Sequence, residues 1–302
     1  MRTLPFLALA LGLAIAGPAA AQTPGSVDPK PLPPLGKVGP ATPAKELFGR
    51  KTRPAALPPQ AIGGYAGGCL AGGTALPVDG PAWQAMRLSR NRNWGHPVLV
   101  RWLEAFAPKA AQASGWPGLL VGDLAQPRGG PMLTGHASHQ IGLDADIWLT
   151  PMPNRRLSRQ EREEMSAVNM VRPDRLDIDP NVWTPAHTAV IRAAAREPEV
   201  ARIFVNAAIK KALCREAGRD RAWLSKVRPM FGHDFHFHVR LSCPPGEAAC
   251  REQDPVPAGD GCGPELDAWF TQEMRFPKPG KPRPPLVMAQ LPPQCARVLA
   301  SD

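Results

Sequence analysis

The side chains best suited to chemistry fall into two short islands. GHASHQIGLDADIW (135–148) holds His136, His139, Asp144 and Asp146, and GHDFHFHVRL (232–241) holds His233, His236 and His238. Together they carry five of the seven histidines in the chain. Imidazole plus carboxylate is the usual donor set of a catalytic zinc, with three protein ligands and one position left for water. Zinc lowers the pKa of that water to about 7 and so makes a nucleophile at neutral pH. No HExxH occurs, so the arrangement in which one helix supplies two histidines is absent. What remains is His139 and Asp146 in H-x6-D spacing, followed by His236 and His238 as H-x-H. Either half alone arises by chance. The competing reading is a structural polar cluster that holds no metal.

Strands are needed to aim these groups. In LDADIWL, Leu143, Ala145, Ile147 and Leu149 fall on one face, and Asp144 and Asp146 on the other. In HFHV, His236 and His238 share a face. Two carboxylates or two imidazoles pointing the same way aim at water, at each other or at a metal, because unpaired buried charge is costly. Asp144 reads as a hydrogen-bond partner of the ligand set. Further strands are expected in GLLVGDL (118–124) and RIFVN (202–206). Helices are expected from PVLVRWLEAFA (97–107), from LSRQEREEMSAV (157–168) with Ser158 and Glu161 in capping-box spacing, from Thr184-Pro185 onward, and from NAAIKKALCREAG (206–218). His187, in the first turn of the third of these, reads as a surface or capping residue. Strands and helices do not alternate as βαβ units. The expected class is α+β, with a largely antiparallel central sheet flanked by helices and stapled by three disulfides.

Composition sets the organisation. MRTLPFLALALGLAIAGPAAA reads as a signal peptide over 1–21, too short for a membrane span. Its removal takes one Arg, so the formal charge falls from +10 to +9, a balance suited to an anionic polymer. No basic run is interleaved with aromatics, which argues against nucleic acid. Residues 22–60 contain ten prolines and read as an extended leader unable to bury a core. Residues 61–245 form the domain that bears both islands, and 246–302 a C-terminal proline-rich extension containing FPKPGKPRPPL (276–286). Six cysteines in an exported chain imply three bridges, and fifteen pairings are open.

Beyond the islands, GGCLAG (67–72), GHPVLV (95–100), ARIFVN (201–206), WLSKVRPMFGHDFHFHVRLSCP (223–244) and GDGCG (259–263) complete a long motif. With it the chain resembles the penicillin-insensitive murein endopeptidases, within the wider group that includes lysostaphin, D-Ala-D-Ala peptidases and hedgehog-type domains. The resemblance implies one catalytic Zn2+ held by His139, Asp146 and His238. It implies that His236 is the imidazole beside the metal, a base or oxyanion stabiliser, and that His233 is a further pocket group. It implies the bridges Cys69–Cys295, Cys214–Cys262 and Cys243–Cys250, with the tail folded back onto the domain. A second metal in such proteins uses His136 with an Asp and a His. Here Asp174 stands at the Asp position and Asp177 where the family has His, a change that favours harder ions. The implied activity is a zinc-dependent, β-lactam-indifferent D,D-endopeptidase that cleaves D-alanyl–diaminopimelate cross-links of peptidoglycan in the periplasm. Alternatives are a D,D-carboxypeptidase or dipeptidase on uncrosslinked stems, or a non-catalytic wall-binding module.

Overall fold

Alternation of apolar and polar residues gives the strands one face for a core and one for a site. The computed structural model describes residues 32–301 apart from 279 and 282, so the signal peptide read over 1–21 lies outside the described residues. In chain order the elements are α1 (Ala44–Phe48), β1 (Gln60–Gly64), β2 (Gly67–Ala71), β3 (Thr74–Ala75), β4 (Asp79–Gly80), β5 (Trp83–Ala85), β6 (Trp94–Gly95) and α2 (Pro97–Ser114). Then come β7 (Leu119–Val121), β8 (Asp144–Trp148), α3 (Arg159–Glu164), α4 (Pro185–Arg196), β9 (Val200–Val205), α5 (Ala207–Glu216), β10 (Val227–Pro229) and β11 (His236–Leu241). The extension adds α6 (Pro264–Asp267), α7 (Gln272–Arg275) and α8 (Gln294–Ala300).

The main sheet has seven strands in the order β10-β9-β11-β8-β7-β5-β4. Only the β10–β9 and β7–β5 pairs are parallel, so the sheet is largely antiparallel as expected. One face carries Ala145, Ile147, Phe237 and Val239 into a core shared with Leu99, Leu103 and Phe106 of α2 and Val190 and Ile191 of α4. Each of the larger of these side chains, fully buried, contributes about 1.5–3 kcal/mol. The opposite face carries Asp144, Asp146, His236 and His238.

The helices begin where their caps predict. Ser158 and Glu161 form the reciprocal capping box of α3. Pro97 and Pro185 open α2 and α4, and the Asn206 side chain accepts from Ala208 N at 2.9 Å to open α5. His187 does cap α4 through Thr184, but it is not at the surface. It is buried because its ring stacks on Trp183 with centroids 4.9 Å apart and its Nε2 lies 3.0 Å from Leu149 O.

The six cysteines form three bridges, Cys69–Cys295, Cys214–Cys262 and Cys243–Cys250. The first ties α8 to β2 and shapes a second, smaller core. There the proline-rich leader departs from its sequence reading: Ala44, Phe48 and Ala55 are buried, together with Cys69, Leu291, Cys295 and Val298. A segment too poor in apolar residues to build a core of its own can still fill one side of a core begun by the tail. Arg128 joins the same three parts, donating from Nε to Arg53 O (3.1 Å) and from Nη1 to Val298 O (3.0 Å) and Leu299 O (2.7 Å).

Phe48→Ala is expected to cost about 3–5 kcal/mol, in the range for emptying a buried aromatic site, with Phe48→Leu costing less. Denaturant midpoints measure this. An unchanged midpoint for Phe48→Ala would mean that the leader docks outside the cooperative unit.

Candidate metal centre

The centre is built where β8 and β11 lie side by side. Their antiparallel register sets His238 opposite Asp146, Arg240 opposite Asp144 and His236 opposite Trp148. Residues directly opposite on one face have Cβ atoms about 4.5–5.5 Å apart, so the two islands meet through sheet geometry alone. Asp144 is fully buried and receives a two-pronged contact from Arg240, Nε to Oδ1 at 2.8 Å and Nη2 to Oδ2 at 3.1 Å. The guanidinium lies over Tyr65 (4.1 Å) and Phe204 (5.1 Å). Breaking a buried pair of this kind typically costs roughly 3–5 kcal/mol. Burial alone would raise the Asp144 carboxyl, but Arg240 and His238 hold it well below the usual carboxylate range.

The loop before β8 brings the remaining imidazoles. His139 has a left-handed backbone, with φ of 67°, and its N–H donates to Asp144 Oδ2 at 2.9 Å. The Gln140 side chain accepts from Gly68 N (3.2 Å) and donates to Ala137 O (3.0 Å), which fastens the loop to the β1–β2 hairpin. Gly142 has φ of 73°, and a Cβ there would stand 2.7 Å from His96 N, so this turn requires glycine.

Four imidazoles then surround one carboxylate. Asp146 Oδ1 lies 3.2 Å from His238 Nδ1, 3.4 Å from His139 Nε2 and 3.6 Å from His236 Nε2, and Oδ2 lies 3.4 Å from His136 Nδ1. Burial opposes ionisation of Asp146, but the surrounding histidines outweigh it and its pKa falls. Burial drives His139 and His236 below the usual imidazole range. His238 goes the other way: burial would lower it, but Asp144 and Asp146 pull it up to about 9.

The donor set passes a direct test of fit to a metal. Both ring nitrogens of His139, Oδ1 of Asp146 and Nε2 of His238 are buried without a hydrogen-bond partner. His238 Nε2 stands 3.2 Å from Asp144 Oδ1 but out of hydrogen-bond alignment. Unsatisfied buried polar atoms are rare, and a cation beside Asp146 Oδ1 would satisfy that oxygen together with His139 Nε2, 3.4 Å from it. Among the described residues, ligand atoms of His136, His139 and Asp146 all lie within 4.8 Å of one another. The His238 ring stands 4.6 Å from that of His139.

Not every residue singled out in the sequence joins this group. His233 borders it, its ring 4.8 Å from that of His236 and its Nδ1 2.9 Å from Phe231 O. Burial and the neighbouring imidazoles push His233 down to about 4. Asp174 and Asp177 are engaged elsewhere. Asp174 pairs with Arg172 and accepts from Leu176 N at 3.0 Å, while Asp177 is gripped by Arg215 at 3.0 and 3.2 Å. His136 instead meets Asp123, with Nε2 2.9 Å from Oδ2. Asp123 was not evident from the sequence. It is buried, burial alone would raise it, and His136, Arg92 and Arg90 nevertheless hold it far down. Its only sequence signal is an acid closing the apolar run GLLVG. Arg240 was likewise missed, although it stands two residues beyond His238 on the same face.

A family model described as "Penicillin-insensitive murein endopeptidase" matches residues 61–300. A protein of that name from Yersinia enterocolitica is 46% identical over 259 residues, covering 86% of this chain and 90% of its own. One from Haemophilus influenzae is 48% identical over 226 residues, covering 72% and 74% respectively. Another, from Klebsiella pneumoniae, is 42% identical over 261 residues, covering 86% and 91%.

Asp144→Asn keeps every atom that faces the centre but weakens the hold on Arg240, His139 and His238. It is expected to lower divalent-metal affinity by roughly 10–100-fold, as loss of a group that orients metal-binding histidines does. Competition with a chromophoric chelator measures this. Unchanged affinity would mean that Asp144 only stabilises the sheet.

Proposed function

The chain belongs to the penicillin-insensitive murein endopeptidase family, and from that membership and the centre above we propose that it is a zinc-dependent murein D,D-endopeptidase. Its substrate is the D-alanyl–diaminopimelate cross-link of peptidoglycan, and it acts in the periplasm after removal of residues 1–21. The observation that carries the chemistry is the cluster of unsatisfied buried imidazoles around Asp146. Among the described residues no helix is long and apolar enough to cross a membrane, and the three disulfides suit an oxidising compartment.

His139, Asp146 and His238 would hold the zinc. When bound it supplies Lewis-acid polarisation of the scissile carbonyl and a water acidic enough to ionise near neutrality. The protein's own groups do the rest. Asp144 keeps His238 turned so that Nδ1 faces Asp146. His236, beside the ligands but on the open side, accepts the proton of the attacking water at Nε2 and passes it to the departing amine. His233 lines the same wall. The hydroxyl of a serine takes no part, which accounts for indifference to β-lactams. Clefts on both sides of the centre leave room for two peptide arms, and this favours cleavage within a cross-link over trimming of a free end. His136 remains with Asp123, and a second metal there would have to draw Asp174 and Asp177 away from their arginines.

Purified cross-linked muropeptide dimers, digested with and without a zinc chelator and read by mass spectrometry, test the proposal. Chelator-sensitive conversion to monomers is expected. Dimers left intact by the metal-loaded protein would overturn it. His238→Ala is expected to lose metal and activity together. If His136→Ala loses the metal and His238→Ala keeps it, the third ligand is His136. His236→Ala is expected to keep the metal and lose turnover by roughly 100- to 10,000-fold, the usual contribution of a general base.

A further inference from the structure

We propose that Arg90 sets the substrate preference of this centre by receiving the carboxylate beside the scissile bond, on the amine side of the cross-link. The proposal rests on the endopeptidase reading, and its test is arranged to separate the two.

His136, Phe235 and His236 line both clefts, so the centre lies between them. Chemically the clefts are unlike. One, of about 490 Å³, is bounded by Phe204, Met230 and Phe231, and the one arginine in its lining, Arg240, is already paired with Asp144. The other, of about 330 Å³, is bounded by Arg87, Arg90 and Trp148, with Asp123 and Asp146, each already surrounded by cationic or imidazole partners, at its inner side. A cross-link joined through diaminopimelate has the matching asymmetry. On its acyl side the scissile bond carries the methyl group of alanine. On its amine side the carbon bonded to the scissile nitrogen also bears a carboxylate. An apolar wall suits the first arm and a guanidinium the second.

Of the two arginines in the basic cleft, Arg87 is already committed. Its guanidinium donates to the carbonyls of Arg162, Glu163 and Met165 and lies 5.4 Å over the Trp148 ring. Arg90 differs. Among the described residues its Nη1 alone is tied down, 3.0 Å from Asp123 Oδ2, and its side chain is 46% exposed. That Asp123 oxygen is shared with Arg92 and with His136 Nε2, each at 2.9 Å, so two guanidiniums and an imidazole face one carboxylate and positive charge is left over. Anchoring by Asp123 limits the rotamer freedom that binding would otherwise remove. The Nε and Nη2 donors left over offer the fork geometry that grips a carboxylate through two parallel bonds.

The test compares two cross-linked dimers, one with the free carboxylate at the cross-linking carbon and one with that group converted to its amide. Wild type is expected to prefer the acid in kcat/KM. Arg90→Gln should shrink that preference by about tenfold, the value of a hydrogen bond to a charged group, mainly through KM. Arg90→Lys should restore part of it, keeping the charge but not the fork. Bound metal, measured in each variant, reports whether the Asp123–His136 contact survives. An acid-over-amide preference that is unchanged in Arg90→Gln overturns the proposal, as does an equal loss on both substrates. If wild type cleaves neither dimer, the endopeptidase reading fails while the contact is still decided by direct binding of the same two peptides. A binding preference for the acid that disappears in Arg90→Gln supports the contact, and equal affinities refute it.

Discussion

The buried pair of Asp144 and Arg240 is the interaction on which the rest of the centre depends. One carboxylate, fully excluded from water, accepts two bonds from Arg240 on the neighbouring strand and one from the backbone of His139, and it stands against the Nε2 edge of His238. Its charge is neutralised across the β8–β11 seam, so a slip of register by one residue would strand both ions in a low-dielectric interior. The same pair therefore holds the strands in the alignment that sets His238 opposite Asp146. Tyr65 and Phe204 cover the guanidinium, and through Tyr65 the constraint reaches the turn of the β1–β2 hairpin.

From this follows a division of labour between the two faces of the sheet. The face bearing Ile147, Phe237 and Val239 is sealed by α2 and α4, so the backbone of β8 and β11 is rigid. Alternate residues of the same strands face away from that core, and Asp144, Asp146, His236, His238 and Arg240 among them form the centre and its support, while Trp148 packs in a small apolar cluster. A centre on strands held this way keeps its donors in place better than one built on loops. Asp146 is then surrounded by imidazoles with opposed tendencies, His139 and His236 made reluctant to protonate and His238 made willing.

Much of this was legible in the amino-acid sequence, because alternation along a strand is a local property. The two-residue spacing in LDADIWL and HFHVRL foretold which side chains share a face, and the caps at Ser158, Thr184 and Asn206 foretold where helices start. Partnerships between distant residues were not legible. Nothing about Asp123 announces that it gathers Arg90, Arg92 and His136, since those contacts join separate loops. Phe48 looked like one apolar residue in a proline-rich leader, and its burial depends on a tail some 250 positions away. His187 reads in the sequence as a surface or capping residue; the cap is there but the surface is not, because the ring of Trp183 and the carbonyl of Leu149 that enclose it are set by tertiary packing.

The bridge between Cys69 and Cys295 spans 226 residues and ends within the last helix. Cys69 belongs to β2, whose neighbour Gly68 donates to the side chain of Gln140 and so backs the loop that carries His136 and His139. A strand near the centre is thus braced by a helix more than two hundred positions further along the chain. The hairpin stays without this brace until Cys295 has met both Cys69 and an oxidant. A reductant would therefore reach the centre without touching any of its imidazoles or carboxylates, by releasing the strand that backs the loop of His136 and His139.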